Sequence, residues 1–121
     1  MSFKWTTNEI ATLTITIYET NLTLNKAACR YFEEVTHVLL GFDDETNQIA
    51  IKPVTREEMN NDIYPASQLH RISLGKSYGR ITNKSFIEDI ADRFHLSFEG
   101  NQCFKYHAKF DVIGQMMIIQ L

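Results

Sequence analysis

What most constrains this chain is a pattern that occurs twice. "LTLNKAAC" (residues 22–29) and "GRITNKSF" (79–86) each run a short strand-like apolar segment into Asn-Lys, then into small and apolar residues at helical spacing. Asn25 and Asn83 stand 83 − 25 = 58 residues apart. Few identities survive between the two copies, but the order of elements does: strand, turn, short strand, Asn-Lys, helix, hairpin.

In the first copy, "ATLTITIYE" (11–19) alternates Leu13, Ile15 and Ile17 with Thr12, Thr14, Thr16 and Tyr18, which predicts a strand. "ETN" turns, "LTL" resumes the alternation, and Asn25 stands where its side chain caps a helix. Ala28, Phe32 and Val35 then mark one helical face. "HVLLGF", "DDETN" and "QIAIKP" predict a hairpin closed by Pro53. In the second copy, "HRISLG", "KSYG" and "RIT" give strand, turn and strand. Asn83 (or Thr82) caps a helix whose face is Phe86 or Ile87, Ile90 and Phe94, with Glu88, Asp89 and Asp92 opposite. "QCFKYHAKF", "DVIG" and "QMMIIQL" predict the second hairpin, its last strand buried in a barrel. The units fall at about 11–53 and 70–121. Residues 54–69, rich in charge and Asn with Pro65, read as a linker with one helical turn at 55–59.

One strand-helix-hairpin unit cannot bury its own sheet face, and its strand edges stay open. Two such units can interleave their hairpins into one closed body with the helices at its ends. The expected fold is therefore an α+β, β-rich single domain over residues 1–121, a pseudo-dimeric swapped-hairpin barrel. The length of 121 residues suits one modest core, and the apolar fraction of 44% excludes wholesale disorder. No window has signal-peptide character or membrane-spanning length, so a cytoplasmic location is the expectation. Cys29 and Cys103 lie among apolar neighbours, which predicts buried reduced thiols. The triplets Asn21-Leu22-Thr23 and Asn83-Lys84-Ser85 are read as chance matches to the glycosylation pattern.

"HRISLGKSYGRITNKSFIEDIADRF" resembles the AbrB/SpoVT swapped-hairpin DNA-binding family. That family runs strand, turn, Gly-Arg, alternating strand, often Pro-Lys, a short helix, and a hairpin ending in an apolar strand. Gly79-Arg80-Ile81-Thr82, Lys84, the helix Phe86 to Phe94 and "MMIIQL" follow the pattern. The first unit follows it more loosely, through "ITIYETNLTLNK" and "HVLLGFDDETNQIAIKP". Two departures stand out. The Pro common at the helix start is absent from both units, and Asn21-Leu22 stands in unit one where Gly-Arg would be. The resemblance implies a DNA-binding transcriptional regulator whose strand-turn-strand surface before the helix faces double-stranded DNA.

The residues point to the same segment. Arg71, Lys76, Arg80 and Lys84 fall within 70–84 without one acidic residue, on a chain of net charge −3. Such a cluster attracts phosphates, and guanidinium groups also pair with guanine edges. Tyr78 either stacks on a sugar or base or covers the turn. The bland reading is an ordinary solvated strand face. Lys26 and Arg30 of unit one, near Glu19, read as solvated, so a site built from both halves is expected to be lopsided. The alternative function is a non-enzymatic protein-interaction module, antitoxin-like or a mobile-element accessory protein, that keeps the fold without DNA binding. The acidic balance, with pI near 5.8, favours it.

His37, His70, His95 and His107 lack metal-ligand spacing, His95 suiting a helix C-terminus. Glu88, Asp89 and Asp92 read as exposed helix carboxylates, and no nucleophile-base ordering or Gly-rich phosphate loop appears. Neither an enzyme nor a cofactor is expected. The molecule is expected as a monomeric pseudo-dimer or a homodimer.

Overall fold

The computed structural model describes residues 2–3 and 12–121. Residue 11, the expected start of the first strand, lies outside the described residues, as do Lys4 and Trp5. The strands are β1 (Thr14–Ile17), β2 (Asn21–Asn25), β3 (His37–Asp43), β4 (Gln48–Val54), β5 (His70–Leu74), β6 (Tyr78–Thr82), β7 (Phe104–Asp111) and β8 (Met116–Gln120). The helices are α1 (Lys26–Cys29), continued by a 3₁₀ turn over Arg30–Phe32, α2 (Arg56–Asn60) and α3 (Lys84–Phe94).

All eight strands close into one antiparallel barrel in the order β1-β2-β6-β5-β3-β4-β8-β7. Alternation places Ile15, Ile17, Leu22, Leu24, Ile72 and Ile81 inside, facing Val38, Ile49, Ile51, Met117 and Ile119. α1 with its 3₁₀ extension adds Ala28 and Phe32 to this core, and α3 adds Ile87 and Ile90. The C-terminal "MMIIQ" is a barrel strand as expected, with Met117 and Ile119 fully buried and Met116 and Ile118 half-buried.

Neither hairpin stays with its own first strand. β3–β4 joins the barrel through β5, and β7–β8 through β1. Aromatic contacts run across the same seams. Phe42 of β3 meets Phe94 of α3 edge-on at 6.4 Å, and Phe110 of β7 stacks on Tyr31 after α1 at 4.2 Å. Arg93 of α3 lies over the Phe42 ring at 4.4 Å and donates to Asp44 of the β3–β4 turn at 2.8 Å. Exchanging β1–β4 with β5–β8 maps the whole pairing order onto itself.

The hairpin turns repeat at an offset of 111 − 43 = 68 residues. Asp43 Oδ1 accepts from Glu45 N (2.9 Å), and Asp111 Oδ1 accepts from Ile113 N (3.1 Å). Each turn then closes through a left-handed residue, Asn47 (φ 55) and Gln115 (φ 54). The first strands repeat at a different offset, 72 − 15 = 57, which superposes the inward Ile15 on Ile72 and Leu24 on Ile81.

Both capping asparagines act as expected. Asn25 Oδ1 accepts from Ala28 N at 3.1 Å, and Asn83 Oδ1 from Phe86 N at 3.0 Å. The linker's helical turn is α2, closed by a reciprocal Thr55–Glu58 capping box. Pro53, expected to close the first unit at about residue 53, stands one residue before the end of β4, opposite Val38. It lies past Ile51, the last residue of β4 paired with β8, so its missing N–H falls on an unpaired edge. One expectation is corrected: Cys103 is exposed, whereas Cys29 is buried, and both thiols are free. Burial, with a contribution from Glu33, pushes the Cys29 thiol above its ordinary range. No helix among the described residues is long and apolar enough to cross a membrane.

Candidate nucleic-acid interface

Residues alternating with the core along β7, β1, β2, β6 and β5 form, by register, rows across the wall, most of them exposed or half-buried and Thr16 buried among them. One row runs Lys105–Thr16–Thr23–Arg80–Ser73. On one side of it lies His107–Thr14–Asn25–Tyr78. On the other, Asn21 pairs with Thr82, and Arg71 pairs with His37 at the edge of β3. A groove of about 680 Å³ follows these rows, lined in part by Thr14, Thr16, Thr23, Tyr78, Arg80 and Lys105.

Of the four cations expected from sequence, the structure brings two onto this wall. Arg71 and Arg80 project from neighbouring strands, both exposed. Arg80 leans on Tyr78, its guanidinium carbon 5.6 Å from the ring centroid, and Nη2 donates to Tyr78 Oη at 3.4 Å. That contact holds the guanidinium outward in one direction while leaving most of its donors free for a ligand. Lys76 stands in the β5–β6 turn at the rim of the wall. Lys84 is the first residue of α3 and sits 4.0 Å from Glu88, an exposed helical pair worth little in water.

Sequence reasoning missed Lys105 and His107. Their signal was present: "FKYHAKF" alternates Lys105, His107 and Lys109 with more buried residues. What it lacked was the neighbour, because only the pairing of β7 with β1 carries these groups onto the wall. The expected lopsidedness is thereby reduced. β5 supplies Arg71 to one flank, and β7, through its pairing with β1, supplies Lys105 to the other. No carboxylate stands in these rows; Asp111 ends β7 past the stretch paired with β1, and Glu19 occupies the β1–β2 turn.

Gly79 belongs to the wall's support. A Cβ there would come within 2.9 Å of Cys29 Sγ and 3.0 Å of Leu74 Cδ2. Glycine is what lets α1 close against β6. Beside the wall, Asn83 uses its second arm on His70, with Nδ2 2.9 Å from Nδ1. The cap fixes the amide's orientation, so His70 Nδ1 is the acceptor and the ring is neutral. Burial holds the His70 pKa below its ordinary value.

Among the described residues, no group of three or more His, Cys, Asp or Glu is placed to hold a metal ion. Comparison with protein-family models, with curated proteins and with solved structures found no match to this chain.

Proposed function

We propose that this chain is a DNA-binding transcriptional regulator of AbrB-like type, a duplicated swapped-hairpin barrel in one polypeptide. The exchange of hairpins between the two halves of the pairing order supports the architecture. One observation carries the function: Arg71, Arg80 and Lys105 project from paired rows that hold no carboxylate and whose remaining side chains are mostly Thr, Asn, Ser and Tyr. Cations supply sequence-independent attraction to phosphates, and short polar groups between them fit base edges or sugar oxygens. A sheet face is a known means of entering a groove of the duplex. Lys76 and Lys84 stand at the margins and reach flanking phosphates.

The test is fluorescence anisotropy on random and genomic duplexes across salt. If Arg71, Lys76, Arg80 and Lys105 each meet a phosphate, log K falls with log salt at a slope of about −3 to −4. Arg80→Ala lowers affinity by roughly tenfold and reduces that slope by about one. Absence of binding at low salt, or indifference to salt, sinks the proposal.

A second reading rests on a different part of the surface. Val112 is 72% and Ile113 97% exposed at the tip of the β7–β8 turn. Two adjacent apolar side chains in water suit a partner protein, as in an antitoxin-like or mobile-element accessory protein. Val112→Asp with Ile113→Asp removes partner capture on that reading and leaves DNA affinity unchanged on the first.

A further inference from the structure

The barrel's two halves repeat in backbone but not in charge. With the strand offset of 57, each residue of the wall has a counterpart related by the exchange of halves. The turn between β1 and β2 presents Glu19, and its counterpart in the β5–β6 turn is Lys76. Thr14 answers to Arg71, and Thr23 to Arg80. Thr23 and Arg80 are also direct partners across the β2–β6 seam, so the axis relating the halves passes between them. With the hairpin offset of 68, His37 answers to Lys105. The first helical residues, Lys26 and Lys84, keep like charge, as do Asp43 and Asp111 in the hairpin turns away from the rows.

A protein two-fold is mirrored by palindromy in its DNA site, because each half presents the same groups to the same half-site. Here the halves present unlike groups, and the two rim turns are opposite in sign. A phosphate that meets Lys76 at one end would meet the Glu19 carboxylate at the other. Resting on the DNA-binding reading above, we infer that one chain recognises a non-palindromic duplex in a single orientation, its Lys76 rim gripping phosphate and its Glu19 rim standing off, with Lys105 beside β1 the cation that remains on the Glu19 side.

The test uses the full chain on duplexes selected from a random-sequence pool. One chain per duplex, a selected site without dyad symmetry and a hydroxyl-radical footprint longer on one side of the site centre are expected. Glu19→Lys should tighten binding several-fold, add about one to the salt slope, and lengthen the short side of the footprint. Lys76→Glu should weaken binding by roughly tenfold and shorten the long side. Both side chains lie in exposed turns, so far-UV circular dichroism suffices to confirm that each variant is folded. A symmetric footprint on a palindromic site, two chains per minimal site, or weaker binding by Glu19→Lys overturns the inference while leaving DNA binding standing. Failure of every duplex to bind at low salt, the Glu19→Lys chain included, overturns both.

Discussion

At the scale of single residues, Gly79 shows how packing and surface chemistry divide a short motif. Its Cβ would lie 2.9 Å from Cys29 Sγ, closer than real contacts allow, so in Gly79→Ala the Cys29 and Leu74 side chains, or the elements that carry them, must shift. Overpacking of this kind costs about 1–3 kcal/mol. Cys29→Ala removes the offending sulfur, so the double variant should recover part of the loss in urea unfolding. Simple additivity of the two single effects would place the strain elsewhere. Gly79-Arg80 in the sequence resembles a functional pair, yet the glycine serves the core and only the arginine faces out. Nothing local reveals this, because Cys29 is fifty positions away along the chain. His70 carries the second prediction. Its proton acceptor is engaged by Asn83, and burial lowers its pKa, so the unfolded chain binds a proton more readily than the folded one. Its contribution to stability is full above the ordinary pKa of 6.5 and is lost as pH falls through the lower folded value. Urea titrations at pH 7.5 and pH 5 should show the wild type losing more stability than His70→Gln. An equal loss in both would remove His70 from the account.

At the scale of elements, the Asn-Lys echo has a structural cause that exceeds capping. Asn25 Oδ1 also accepts from Thr14 N at 3.1 Å, and its Nδ2 donates to Thr12 O at 2.7 Å. Asn83 likewise joins its helix to His70 at the start of β5. In each unit one amide ties the helix N-terminus to the start of that unit's first strand, a task needing both an acceptor and a donor. Serine caps equally well but has no second arm of that reach. Asn83→Ser should therefore cost about 0.5–1.5 kcal/mol, the worth of one hydrogen bond, and Asn83→Ala more. Chemical denaturation of the pair measures this, and equal losses would reduce Asn83 to a cap alone. Such elements were legible from sequence because their causes are local: alternation at Ile15 and Ile17, the Asn caps, the three-and-four spacing of Ile87, Ile90 and Phe94. Pro53 marked the end of that hairpin to within one residue, but why β4 tolerates it was not legible: β8 stops pairing at Ile51, and only that leaves the proline an unpaired edge. Lys105 and His107 were legible as one face of a strand, but not as part of the basic wall.

At the scale of the whole molecule, the repeated element order allowed an interleaved barrel to be expected, since neither unit alone covers its sheet. The seams themselves, β1 with β7 and β3 with β5, involve pairings between residues far apart in sequence and leave no local trace. They carry a thermodynamic consequence. β1 is held between β2 and β7, and β5 between β6 and β3, so each unit's first hairpin is edged by strands of the other. Phe32 and Ile90 belong to one core with residues of both units. Neither unit retains a closed sheet if the other melts, so unfolding should be a single transition with equal calorimetric and van't Hoff enthalpies. A sharper version uses the linker, where Asp62 has a left-handed φ of 49 and Ile63 is 56% exposed. Cleavage near these residues removes no strand pairing and turns an intramolecular assembly into a bimolecular one. The nicked protein should stay folded, with a melting temperature that now rises with concentration, while the intact chain's does not. Two transitions in the intact chain, or protected amides in either isolated half, would show that the units fold independently despite their shared barrel.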